Sequence, residues 1–259
     1  DMYLGAVTGC PRNDQTEPDE LGDAVMAAYS FQIDLNTSFT GEDSLDISLD
    51  AGNTTTNDLG IVEFDGNATG DSLTVDGVSY TFPLGEKMTV IVGDNTDGSA
   101  LFTTACTYGG PTNTLDDCGN VNAGITNGGA MAGASYDFGS GFTAAVGYAA
   151  GESDMATGLM SKETLDAYGV NASYTGDNFG VSVTYGLVET SSTDEDTFTA
   201  FNGYYSPEGF PSISVGYEIG EDGSVTDKTA DELTSFFVGL QFDELGPGTA
   251  GIALGTKTP

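Results

Sequence analysis

The chain has 259 residues, 38 of them Gly, with neither His nor Trp, and its 40 acidic residues against 5 Lys plus Arg leave a formal charge of -35. That balance excludes ordinary nucleic-acid binding, which needs a cationic surface, and argues against docking on an anionic membrane surface. The length suits one undivided all-β domain over residues 1–259.

In chain order, residues 1–8 read as the tail of a strand and 9–23 as an acidic loop with Pro11 and Pro18. Val25–Ser38 is a strand with Tyr29, Phe31, Ile33 and Leu35 on one face and Ser30, Gln32, Asp34 and Asn36 on the other. Gly41-Glu42 turns the chain into Ser44–Ala51, where Leu45, Ile47 and Leu49 alternate with Asp46, Ser48 and Asp50. Acidic residues on the polar faces of two neighbouring strands predict an anionic wall. Leu59–Phe64 and Ser72–Phe82 form a weaker pair, and the turn Pro83–Glu86 leads into Met88–Val92.

Asp94–Asn127 is irregular and long for a loop inside a compact domain; such loops are mostly functional or disordered. Cys106 and Cys118 flank a Gly/Pro/Asn/Asp stretch that suits a disulfide, which fits an oxidising compartment. A bond to Cys10, or no bond, are the alternatives.

From Gly128 to Gly255 one pattern repeats: alternating strand, short turn, alternating strand, acidic loop. Short turns fall at Gly139–Gly141, Gly176–Asn178, Ser206–Gly209 and Glu244–Gly248, and long loops at Gly151–Glu163, Glu189–Asp196 and Gly220–Asp231. Alternating short and long connections place all the short ones at one end of a meander, the layout of an outer-membrane barrel. Each strand has an apolar face, such as Phe179, Val181, Val183 and Tyr185, and a small or polar face, such as Ser182 and Thr184.

A soluble barrel with its apolar face inside has the same alternation. Aromatic placement favours the membrane form. Tyr136, Phe138, Phe142, Tyr174, Phe179, Tyr204, Tyr205, Phe210 and Phe242 cluster by the short turns, and Tyr148, Tyr168, Tyr185, Tyr217 and Phe236 at the opposite strand ends. Two aromatic girdles around an aliphatic belt suit the two membrane interfaces. No apolar run approaches the 18 residues of a membrane helix.

The strings Asp34-Leu-Asn-Thr-Ser-Phe-Thr-Gly-Glu42, Leu49-Asp-Ala-Gly-Asn53 and Tyr80-Thr-Phe-Pro-Leu-Gly-Glu-Lys-Met-Thr-Val90 resemble segments of cyanobacterial outer-membrane porins, a family related to carbohydrate-selective and iron-uptake porins. Tyr108-Gly-Gly-Pro-Thr-Asn-Thr-Leu-Asp-Asp-Cys118 resembles its marine members. The resemblance implies a transmembrane antiparallel up-and-down β-barrel, a homotrimer in outer-membrane lipid, and passive diffusion of small solutes. In porins a long loop folds into the barrel and sets the pore width. Members usually begin with a cell-wall-binding domain and end on a strand with a terminal aromatic; neither is seen here. The expectation is therefore an internal portion of a longer porin, whose barrel further strands complete. The scarcity of Arg departs from sugar-type members and speaks against a basic sugar or anion ladder.

The expected function is a water-filled channel for inorganic ions and small hydrophilic solutes, with cations preferred. Asp34, Asp46, Asp50, Asp137, Asn171, Glu218 and Gln241 are the expected pore-lining residues, and Asp94, Asp97, Asp116 and Asp117 the expected constriction. Confined carboxylates concentrate cations and repel anions. No enzyme is expected: without His the serine triad and His-based metal sites are excluded, and no Walker A loop or zinc spacing is present. Asp94-Asn-Thr-Asp-Gly98 lacks the ligand spacing of a calcium loop. No cofactor is expected beyond loose Ca²⁺ or Mg²⁺ on loop carboxylates. The rival class is a secreted acidic β-rich cell-surface or adhesion protein, which would dissolve without detergent and lack heat-modifiable migration on gels.

Overall fold

A computed structural model describes residues 2–5, 26–53, 69–109, 115–125, 128–151, 159–160, 165–225 and 232–256. Among the described residues thirteen strands form one sheet in sequence order: β1 Met2–Gly5, β2 Met26–Thr37, β3 Ser44–Gly52, β4 Thr74–Leu84, β5 Met88–Asp94, β6 Ala130–Gly139, β7 Phe142–Ala150, β8 Asp166–Thr175, β9 Phe179–Glu189, β10 Glu195–Tyr205, β11 Ser212–Glu221, β12 Glu232–Leu245 and β13 Gly248–Gly255. Every neighbouring pair is antiparallel, from β1·β2 to β12·β13. β1 and β13 are the two edges and run in the same direction. The expected acidic loop at 9–23, the expected strand Leu59–Phe64 and Cys10 lie outside the described residues.

From Ala145 on β7 to Gly216 on β11 the register carries one face unbroken across the sheet. Asn171 stands opposite Thr184 and Ala145, Ser182 opposite Asn202, and Asn202 opposite Gly216. A period of two with no slip keeps these small and polar residues on one side. On β9 the exposures of Val181, Ser182, Val183 and Thr184 are 51%, 7%, 38% and 0%. The polar face is therefore the covered one. Val146, Val170, Val215, Val238, Ile252 and Leu254 point outward and are exposed. This is inverted relative to a water-soluble barrel, whose apolar face would be the buried one.

Antiparallel order puts alternate connections at the same end. The β2–β3, β4–β5, β6–β7, β8–β9, β10–β11 and β12–β13 turns share one end, and the connection from Asp94 to Ala130 leaves from the other. Exposed Phe39, Phe138, Phe142, Phe179, Tyr205 and Phe210 rim the short-turn end. Rings touch there, Phe142 with Tyr174 at 4.6 Å and Tyr174 with Phe179 at 5.4 Å between centroids. At the opposite rim Tyr168, Tyr185, Tyr217 and Phe236 are exposed. Tyr148 departs from its expected girdle position: it is buried, and its hydroxyl donates to Asp166 at 2.7 Å.

Two connections differ from the sequence expectation. Pro83 and Leu84 pair with Thr89 and Met88, so β4 runs through them and only residues 85–87 turn. The expected long loop at Glu189–Asp196 is a compact turn, because the Thr190 amide donates to the Asp194 carbonyl at 3.0 Å and the Ser191 hydroxyl to the Asp194 carboxylate at 2.7 Å. Short polar side chains stabilise such turns by bonding their own backbone. At β6–β7 the residues Gly139, Ser140 and Gly141 all take positive φ (86°, 55° and 86°), which is why two of the three are Gly.

The β2–β3 turn is built around Asp43. Its carboxylate accepts from the Ser38 hydroxyl at 2.6 Å, the Tyr80 hydroxyl at 2.6 Å, the Thr40 hydroxyl at 2.7 Å, and the Thr40 and Phe39 amides at 2.7 and 3.1 Å. The Ser38, Tyr80 and Thr40 hydroxyls hold its pKa well below the usual carboxylate range. A depressed folded-state pKa means the stabilisation is present above the unfolded value near 3.8 and is lost as pH falls through the folded one. Urea titrations of the folded barrel between pH 5 and pH 2 should therefore show a steeper loss of stability in the wild type than in Asp43→Asn. Equal slopes would remove Asp43 from the acid response.

Candidate functional site: the polar wall and its loop

The connection between β5 and β6 folds back along the covered face of the sheet as a two-armed loop. Its outgoing arm crosses the strands. The Thr103 amide donates to Asn171 Oδ1 on β8 at 3.0 Å, the Ala105 amide to Ser182 Oγ on β9 at 2.9 Å, the Thr107 amide to Ser214 Oγ on β11 at 2.9 Å, and the Gly109 amide to Gln241 Oε1 on β12 at 3.2 Å. Every second amide finds an acceptor on the wall, so the arm is itself extended with one edge docked. Asn171 Nδ2 returns a bond to the Thr103 carbonyl at 3.1 Å. Tyr108 packs edge-on against Phe237, centroids 5.3 Å apart.

The return arm runs back over the same strands. Asn202 Nδ2 on β10 donates to the Cys118 carbonyl at 2.8 Å, and Ser235 Oγ on β12 to the Gly119 carbonyl at 2.9 Å. Glu218 on β11 accepts the Ala123 amide at 2.8 Å, the Asn122 amide at 2.9 Å and Asn122 Nδ2 at 2.9 Å. Ala123 also packs with Phe198 and Ala200 on β10. Bonds to an ionised acceptor are worth about 1.5–3 kcal/mol each and the neutral ones nearer 1 kcal/mol. A Cys106–Cys118 disulfide joins the arms, with Cα atoms 6.4 Å apart.

Glycines on the wall let the loop lie so close. A Cβ at Gly147 would meet the Gly98 carbonyl, and one at Gly216 the Cys118 carbonyl. At these positions a bare backbone makes room for another one.

Asn171, Glu218 and Gln241, expected to line an open pore, stand on the covered face but beneath the loop, with exposures of 4%, 1% and 8%. There they accept backbone amides of the loop, which need acceptors. Asp137 sits at the short-turn end, where its carboxylate accepts the Gly139 amide at 2.7 Å. The expected constriction residues are not brought together. Asp94 ends β5 and Asp97 lies at the loop's root; Asp116 and Asp117 are exposed at its far end, next to Cys118 over Gly216 and Gly119 over Phe237. Partial burial, helped by the nearby Asp76 carboxylate, raises the Asp97 pKa above the ordinary carboxylate value.

The wall of β2 and β3 carries polar pairs of its own. There Asp34 accepts from Ser48 Oγ at 2.7 Å and Gln32 Nε2 at 3.0 Å, and Asp46 from Ser44 Oγ at 2.9 Å and from Asn36 Nδ2. Asp34 pairs with Ser48, which places Asp46 and Asp50 as its two diagonal neighbours. Of the five basic residues only Lys87 is among the described ones, in the exposed β4–β5 turn. Among the described residues no cluster of three or more His, Cys, Asp or Glu is arranged to hold a metal.

The loop anchors Ser182, Ser214, Asn202 and Ser235 were not singled out as site residues by sequence, although the alternation places them on the polar face. Nothing in their identity distinguishes an anchor from any lumen-facing serine.

No protein-family model matches this chain, and no curated protein matches it in sequence. Solved structures do. A mutant of the Rh. blastica porin superposes with a TM-score of 0.58 at 14% identity, over 98% of this chain and 80% of that one. A second mutant of the same porin gives 0.57 at 14% identity, and a triple mutant described as Rhodopseudomonas blastica porin gives 0.56 at 14%, each over the same shares. This is the porin fold. The porin fold accounts for the meander order, the outward apolar belt and the sorting of connections by end. At this identity the likeness extends to the fold and not to particular residues.

Proposed function

We propose that the protein is a bacterial outer-membrane porin of the cyanobacterial type, a water-filled channel through which inorganic ions and small hydrophilic solutes diffuse passively, with cations preferred. The observation that carries the reading is the inverted burial: an exposed apolar belt between aromatic rims, around a face of Ser, Thr, Asn and Asp. Such a surface is costly in water and favourable in lipid. The carboxylates of Asp34, Asp46 and Asp50, gathered on two neighbouring strands, support the cation preference. Asp97 at the loop's root and Asp116 and Asp117 at its far end add negative charge along the path. A homotrimer in outer-membrane lipid, and sugars as further solutes, belong to the proposal through the family resemblance. No resident cofactor is part of it; loop carboxylates hold Ca²⁺ or Mg²⁺ loosely.

Single-channel recording in a planar bilayer under a KCl gradient tests the reading. The reversal potential should lie near the K⁺ equilibrium value at pH 7 and decline on acidification. Asp97, with its raised pKa, is neutralised at a higher pH than an ordinary aspartate, so Asp97→Asn should remove an early part of that decline and leave the rest. Stepwise conductance without selectivity would keep the channel and reject the acidic filter. No conductance from protein shown to be folded, together with solubility without detergent, would favour an acidic cell-surface protein.

A further inference from the structure

We infer that Glu218 sets the bore of the channel by latching the return arm of the loop to the wall, and not by presenting its charge to passing ions; the inference rests on the channel reading above. Four donor contacts converge on this one carboxylate, all from Asn122 and Ala123. Oε1 takes the Asn122 amide at 3.2 Å and Asn122 Nδ2 at 2.9 Å; Oε2 takes the Asn122 amide at 2.9 Å and the Ala123 amide at 2.8 Å. Its cross-strand neighbours are Ala200 and Ser235, and Ser235 gives its hydroxyl to Gly119. Ala123, Phe198 and Ala200, with Leu233 at their edge, form an apolar cluster beside it. The carboxylate is 1% exposed.

The two arms are held differently. The outgoing arm spreads its bonds over neutral acceptors on four strands, so the loss of one leaves the others. Among the described residues, the segment Asn120–Ile125 reaches a wall side chain by hydrogen bonding at Glu218 alone. Without that acceptor the Asn122 and Ala123 amides face an apolar cluster, and buried donors without partners are unstable there. They find water by lifting the arm into the lumen. The same movement loosens the chain that follows Cys118, a residue fully buried in the docked arm.

The test compares wild type, Glu218→Ala and Glu218→Gln, each shown to be folded by heat-modifiable migration. Three quantities are read: single-channel current, reversal potential, and the rate at which a water-soluble phosphine reduces the Cys106–Cys118 disulfide. In Glu218→Ala the steady conductance level should break into fluctuating sublevels while the reversal potential stays put. Reduction should be about tenfold faster, equivalent to about 1.4 kcal/mol of lost docking. Glu218→Gln should be intermediate, since its carboxamide keeps one acceptor oxygen but turns a donor toward the backbone amides; it carries the comparison if Glu218→Ala does not fold. A steady wild-type level with a wild-type reduction rate in Glu218→Ala overturns the latch. So does a shifted reversal potential with conductance and reduction rate unchanged, which would make Glu218 a field charge. Folded wild type with no conductance would fail the channel reading, and the reduction rates would still decide the latch.

Discussion

Replacing Asp34, Asp46 and Asp50 together by Asn is expected to move the reversal potential under a tenfold KCl gradient most of the way from the cation limit of about 59 mV toward zero. Asp34 stands opposite Ser48, so Asp46 and Asp50, two residues either side of Ser48, are both its diagonal neighbours. Such neighbours lie roughly 7–8 Å apart. A monovalent ion about 7 Å from one carboxylate gains roughly 0.6 kcal/mol in bulk water. Screening at 0.1 M salt, with a Debye length of about 10 Å, halves this to about 0.3 kcal/mol. Three carboxylates then give about 1 kcal/mol, enough to enrich cations and deplete anions about fivefold each. The Asn side chains keep size and hydrogen bonding to Ser48 and Ser44, so conductance should change much less than selectivity. A variant as selective as the wild type would move the filter away from this wall.

The second large effect is expected at Gly216. Valine there places a Cβ where the Cys118 carbonyl lies, so the return arm must rise. The shift breaks the Asn202 bond to the Cys118 carbonyl and the Ser235 bond to the Gly119 carbonyl. Overpacking of this kind costs about 1–3 kcal/mol, and each lost bond about 1 kcal/mol more. The strands need not move, because Gly216 sits in a ladder whose backbone pairing with Asn202 and Phe237 does not depend on its side chain. Gly216→Val should therefore still fold as a heat-modifiable barrel, yet show altered and unsteady single-channel conductance. Gly248→Ala is the control: it opens β13 after the β12–β13 turn, with open space around its Cβ position and no positive φ, and it should leave the current unchanged. A wild-type current trace from Gly216→Val would mean that the loop tolerates displacement without affecting the bore.

These two sites differ in how far they can be read from the amino acids. The acidic wall is local: Asp34 and Asp46 lie on two strands joined by a short turn, and the alternation of each strand already assigns its carboxylates to the polar face. The porin meander is legible for the same reason. Period-two patterning and turn chemistry act over a few residues, and the order β1 to β13 needs no pairing beyond nearest neighbours. The compact Thr190–Asp194 turn is not legible in this way, because composition does not reveal which side chains bond back to the backbone.

What only the tertiary structure decided is which polar residues lie beneath the loop. Thr103 and Asn171 are 68 residues apart, Asn122 and Glu218 96, and Thr107 and Ser214 107. No local period relates them. An inward serine, asparagine or glutamate has the same pattern whether it faces water or accepts a backbone amide from a distant segment. Amino-acid order alone determined a strand meander with one apolar and one polar, acidic face, because alternation is a property of neighbours. The paths of residues 98–109 and 115–125 across that polar face depended on backbone donors finding acceptors far along the chain, and on glycines placed where two backbones had to touch.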